Sequence, residues 1–195
     1  MDRARLESLR DRYRDDLLCD VLPFWWPRAV DTKHGGFFTA FDRDGTLVDS
    51  DKAIWAQGRF SWLLGSLARD LSDEELARTP FADSPNALRD GWLDAAEAAL
   101  EFVERHGTDT DGQLFFLVTA DGRPLRKRRY AFSEAFAAIG HAAVARAGRN
   151  SRRHAAAAER HFDAFIRWTS TPGLLEPKVS PETRPMYGIG VPMIT

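Results

Sequence analysis

Apolar positions recur with helical spacing through successive stretches of the chain, broken twice by short runs around a turn. From Ala4 to Leu22 they stand at Leu6, Leu9, Tyr13, Leu17 and Val21, three to four residues apart, and Pro23 predicts the stop. The stretch "HGGFFTAFDRDGTLV" follows, two short apolar runs flanking Asp44-Gly45, a pair that favours a tight hairpin turn. Asp51 to Leu67, "DKAIWAQGRFSWLLGSL", predicts a second helix with cap candidates at Asp49, Ser50 and Asp51. After a polar, proline-bearing loop, Ala87 to His106 predicts a third, closed by Gly107. A second hairpin centres on Asp121-Gly122 and leads into "RYAFSEAFAAIGHAAVARAG", a fourth helix ended by Gly148. A fifth runs from about Ser151 to Trp168. "TSTPGLLEPKVSPETRP" then reads as a loop or a shorter third hairpin, and a sixth helix begins near Met186.

The hairpin glycines Gly45 and Gly122 stand 77 residues apart. At about 100° per residue, Trp55, Arg59, Trp62 and Ser66 fall on one stripe. Moved by the same offset, the stripe lands on Phe132, Phe136, Ile139 and Ala143, all apolar. The repeat is therefore hairpin, tight helix, loop, second helix. Such a unit cannot bury its faces alone, so the expectation is stacked helix pairs. The stripe is expected to be a buried inner face, and Arg59 then needs a reason, because a buried guanidinium without a partner is very costly. One reading is a ligand-facing arginine between aromatic walls. The other is a buried ion pair, with Glu134 as its partner. Periodicity leaves both open.

Composition narrows the class. With 195 residues, 44% of them hydrophobic, the chain suits one domain or part of a larger one with a real core. Its 27 basic and 29 acidic residues leave a net charge of -2, which argues against nucleic-acid or membrane-surface partners drawn by overall field. No apolar run approaches membrane-spanning length. The one cysteine, Cys19, excludes an internal disulfide, fits a cytoplasmic location and is expected to pack as a small core residue. The basic run Arg126 to Arg129 reads as a solvated loop. His34, His106, His141, His154 and His161 show no HxxxH or HxH spacing, so no metal is expected. His106 suits a helix C-terminus, and His154 and His161 are expected to be exposed. No nucleophile elbow, P-loop or GxGxxG stands in the chain, so no cofactor is expected.

The words "LLCDVLPFWW", "GGFFTAFDRDG", "DKAIWAQGR", "FSEAFAAIGHA" and "TRPMYGIGVPMI" resemble, in order, those of the N-acylglucosamine 2-epimerase family, also called the renin-binding-protein family. The resemblance implies an all-α fold, an (α/α)6 barrel of helical hairpins with short β-hairpins at one end. Residues 1–195 would be the N-terminal half of this single domain, the chain reaching Thr195 in mid-pattern. It implies an epimerase that interconverts N-acetylglucosamine and N-acetylmannosamine by removing and returning the C2 proton. The two acid–base histidines would lie beyond residue 195, leaving no catalytic residue in this chain. Carried over as substrate-binding are Arg59, Trp55 and Gln57 from the WxQxR word, Ser133 and Glu134 from "FSE", Arg184 and Met186 from "RPM", and Met193. Related cellobiose epimerases and mannose isomerases carry a further histidine where Met193 stands, which favours the acylglucosamine branch. An aldose–ketose isomerase is the nearest alternative, and a non-catalytic sugar- or protein-binding module is the alternative of another class. A small sugar is the expected partner, a homodimer a further one.

Overall fold

The computed structural model describes residues 2–81, 84–127, 130–175, 179–180, 182–184 and 188–195. The chain opens with α1 (Arg3–Asp16), a π-helical turn (Leu17–Val21) and α2 (Leu22–Trp25) in direct succession. Pro23 does not stop this helix. It falls at the start of α2, just after the wider turn in which Leu22 N–H donates to the Leu17 carbonyl, where a missing N–H costs little. The expected stripe is not what this helix buries either. Leu6 and Tyr13 are exposed, while Leu18 and Leu22 enter the core. Cys19 is exposed rather than packed, its thiol 3.6 Å from the Arg78 carbonyl.

Strands β1 (Ala40–Phe41) and β2 (Leu47–Asp49) form the first hairpin. Then follow β3 (Lys52–Ala53), α3 (Ile54–Asp70), the short α4 (Asp73–Leu76) and α5 (Pro85–His106). The second hairpin is β4 (Leu117–Val118) with β5 (Pro124–Arg126), and β3 adds to its edge through Lys52↔Val118 and Ala53↔Leu117. This pairing moves the start of α3 to Ile54. The expected caps at Asp49, Ser50 and Asp51 stay outside the helix, and Ala53 takes the N-cap position without a side-chain bond. Last come α6 (Phe132–Arg146), α7 (Ser151–Ser170) and α8 (Gly190–Ile194).

The 77-residue offset holds down to single hydrogen bonds. Gly45 N–H donates to Asp42 O and Gly122 N–H to Thr119 O, each at 2.9 Å. Both glycines sit at positive φ, +86° and +91°, a conformation that other residues adopt only under strain.

Helices α3 and α6 are the equivalent inner helices of the two units and lie side by side. A Cβ on Gly58 would stand 2.3 Å from the Phe136 carbonyl oxygen, and one on Gly140 would stand 2.7 Å from the Gly58 oxygen. Absent side chains are what let the backbones meet. The face of α3 that packs therefore carries Gln57, Gly58, Ser61, Leu64, Gly65 and Ala68, all buried. This corrects the expected buried stripe. Arg59 and Trp62 are exposed, while Trp55 and Ser66 are half-buried. Small residues close the helix–helix seam, and the aromatic stripe is left off it, half-buried to exposed.

Helices α5 and α7 back the inner pair from outside. The largest core cluster includes Leu64, Trp92, Ala96, Leu100 and Val144. His154 is buried, not exposed, and His161 is only partly exposed, because both point from α7 towards α5 and α6. Burial places His141 of α6 below the ordinary imidazole range, with Glu104 of α5 pulling the other way. No described helix is long and apolar enough to cross a membrane.

Candidate functional site

The first half of α3, the π turn with α2, and the segment before β1 hold a recess of ≈ 550 Å³, lined among others by Trp25, Phe38, Trp55, Arg59, Trp62 and Leu63. The Arg59 guanidinium carbon lies 5.4 Å from the Phe136 ring centroid, and Trp55 packs against the same ring at 5.7 Å. Phe136 is the residue that the repeat offset places opposite Arg59. Glu134 is not the arginine's partner, since its Oε1 accepts from Leu114 N–H at 2.8 Å. Among the described residues Arg59 makes no ion pair and no hydrogen bond, and it forms part of the recess lining. An aromatic wall with a guanidinium fork suits a small polyhydroxylated or anionic ligand: the rings cover apolar C–H faces, and the fork donates to oxygens.

Gln57, Ser133 and Glu134, carried over as ligand contacts, do different work. Gln57 is fully buried, accepting from Phe37 N–H at 2.7 Å and donating to Phe37 O at 2.9 Å. Glu134 takes the same place in the second unit, 77 residues on, and Leu114 takes that of Phe37. Each side chain clamps the strand that enters its hairpin onto the first turn of the inner helix. Ser133 adds a bond to the Phe115 carbonyl at 3.1 Å. Both Gln57 amide atoms, the Ser133 hydroxyl and Glu134 Oε1 bond to backbone and so brace the hairpins. Arg184 is exposed and stands outside the lining of the recess, as does Met193, which is 73% exposed on α8. Met186 lies outside the described residues, as do Arg128 and Arg129. The rest of that basic run is engaged: Arg126 lies over the Phe116 ring and Lys127 pairs with Asp109 at 2.9 Å.

Sequence reasoning missed Lys52. Its ammonium is fully buried and donates to Asp31 Oδ2 at 2.7 Å, Gly35 O at 2.7 Å and Ala120 O at 2.9 Å, over the Phe102 ring. Three donors meet three acceptors, which is what a buried ammonium requires. Burial draws the lysine below its usual range, opposed by Asp31. Burial also acts upward on Asp31, but bonds from Lys52, His34 N–H and Lys33 N–H outweigh it and leave the carboxyl below its usual range. One cation thus ties the loop before the first hairpin to the turn of the second. No local pattern signals it, because the acceptors come from distant parts of the chain.

Residues 36–189 match the family model described as N-acylglucosamine 2-epimerase (GlcNAc 2-epimerase). The chain is 31% identical over 199 residues to the human N-acylglucosamine 2-epimerase, an alignment covering 99% of this chain and 42% of that protein. Among solved structures, cellobiose 2-epimerase from Spirochaeta thermophila superposes with a TM-score of 0.63 at 26% identity, covering 86% of this chain and 37% of that one. Cellobiose 2-epimerase from Bacillus thermoamylovorans gives 0.66 at 17% identity, covering 91% and 45%, and shows the fold. The chain thus spans less than half the length of each of these proteins and forms part of an α/α barrel.

Proposed function

Because the chain belongs to the N-acylglucosamine 2-epimerase family, we propose that it supplies the sugar-binding wall of a cytoplasmic 2-epimerase that interconverts N-acetylglucosamine and N-acetylmannosamine. In this reading residues 1–195 are the N-terminal half of one (α/α)6 domain. The observation that carries it is Arg59, which makes no ion pair or hydrogen bond among the described residues, lines an aromatic recess and lies over the Phe136 ring. Deprotonation at C2 of the open-chain sugar moves negative charge onto the carbonyl oxygen. A fixed cation beside that oxygen stabilises the enediolate more than the neutral sugar, which lowers the barrier. Trp55 and Trp62 would cover the sugar's C–H face. The proton is moved by histidines from outside this chain, a reading supported by the absence of all five of its histidines from the recess lining. The single cysteine supports the cytoplasmic assignment, and the exposed aromatic stripe supports self-association.

Titration with N-acetylglucosamine tests the recess directly. Tryptophan fluorescence of the 195-residue chain should change saturably, and Arg59→Ala should weaken binding tenfold or more with the circular dichroism spectrum unchanged. In a form that includes the acid–base residues, the same substitution should lower kcat/KM by about 10²–10³. Equal binding by the variant makes Arg59 structural. Binding of mannose with none of N-acetylglucosamine transfers the reading to an aldose–ketose isomerase, while tight sugar binding in a complete form without C2 proton exchange points to a binding module.

A further inference from the structure

On the outer wall, Glu104 of α5, His141 of α6 and His161 of α7 bring three ligand atoms within 4.8 Å of one another. His141 lies about 140° around α6 from Phe136, so this cluster looks away from the sugar recess. Glu104 Oε1 is 2.7 Å from His161 Nε2 and 3.3 Å from His141 Nε2. Its other oxygen, Oε2, is held by Arg160 at 3.2 Å, which aims Oε1 at the two rings. The rings of His141 and His161 stack at 5.5 Å with planes 13° apart.

One arrangement of protons satisfies the buried side of the cluster. His154 Nε2 lies 3.2 Å from Glu97 Oε1, and a proton there is donated to the carboxylate. His154 Nδ1 is then an acceptor, and it stands 2.8 Å from His141 Nδ1, which donates to it. The proton of His141 is thereby spent on Nδ1. Its Nε2 keeps a bare lone pair, buried and without a hydrogen-bond partner, facing a carboxylate oxygen in close contact but not in hydrogen-bond alignment. In that arrangement two lone pairs face each other across 3.3 Å. A cation between them removes that conflict. The Glu97–His154–His141 chain is also the carboxylate–histidine support that metal-bound imidazoles use to fix their tautomer.

We propose that Glu104, His141 and His161 form a site for a borderline divalent metal ion, zinc foremost, that staples α5, α6 and α7 together. Two imidazoles and one carboxylate are a zinc donor set, and water completes the tetrahedron at the exposed Glu104 side. Bonds of zinc length to such donors separate them by about 3.3 Å, the present His141–Glu104 spacing. His161 must move from its present 2.7 Å contact with Glu104 to about that spacing from both other ligand atoms, all three now within 4.8 Å of one another, which its partly exposed position allows. The metal would replace the proton that His161 now shares with Glu104. No sequence spacing announces the site, since each ligand comes from a different helix.

Zinc titration of the untagged, chelator-stripped chain tests this. One equivalent should bind, cobalt(II) in its place should show the visible absorption of tetrahedral coordination, and zinc at 100 times its Kd should raise Tm by about 5 °C. His141→Ala risks the fold, so the deciding variants are His161→Ala and Glu104→Gln at the rim. Each should weaken zinc at least tenfold, while His34→Ala should leave it unchanged. Glu97→Gln, which removes the carboxylate behind His154 together with its pairs to Arg149 and Arg153, should weaken it by about 10-fold or more. Absence of stoichiometric zinc binding, or binding that survives both rim substitutions, overturns the site.

Discussion

At the scale of residues, the repeat separates side chains that brace the backbone from an arginine that does not. Gln57 and Glu134 occupy equivalent places and make equivalent bonds to backbone N–H groups, whereas Arg59 and its equivalent Phe136 meet face to face across the inner pair. Lys52 is a heavily committed side chain, its three donors all used. Lys52→Met should cost about 3–5 kcal/mol in urea denaturation, because it leaves the Asp31 carboxylate buried without its cation. Asp31 also sets a pH dependence. Its folded pKa lies below the unfolded value of about 3.9, so the unfolded chain binds more protons as that range is crossed. The stabilisation is present above about pH 4 and is lost as pH falls through the folded pKa. Asp31→Asn should flatten this acid limb in denaturation curves taken across it. The WxQxR and FSE words were visible from the start, but which of their polar atoms turn to backbone and which to the recess was not. That depends on where the hairpin strands lie, some 20 residues upstream.

At the scale of elements, the closest contact is α3 against α6. Gly58→Ala would drive a Cβ into the Phe136 carbonyl, a backbone atom that cannot step aside. Separating two packed inner helices should destabilise the chain by about 1–3 kcal/mol or more. Gly91→Ala makes the converse case. A Cβ there meets only the Trp26 ring at 3.5 Å, an ordinary contact, and should stabilise α5 by about 0.5–1 kcal/mol. Thermal melts of the two variants should move in opposite directions. Helix existence was legible from periodicity. The ends were less so: α3 starts three residues late because Lys52 and Ala53 are taken by the sheet, and α1 runs on past Pro23 through a π turn.

For the whole molecule, Trp62, which lines the recess, and its equivalent Ile139 are 41% and 40% exposed. Apolar surface of this kind drives association in water. Sedimentation of the 195-residue chain should show concentration-dependent self-association, and Trp62→Glu should shift it towards monomer. By itself the sequence determined the helical class, the 77-residue repeat, both hairpin turns and the family words, because spacing and turn chemistry are local properties of the chain. Only the tertiary structure decided that small residues face the seam and aromatics the cavity, that Lys52 joins two hairpins, and that three histidines from two helices converge with a glutamate from a third. Those outcomes depend on distances between residues far apart in sequence, which are settled when the helices pack.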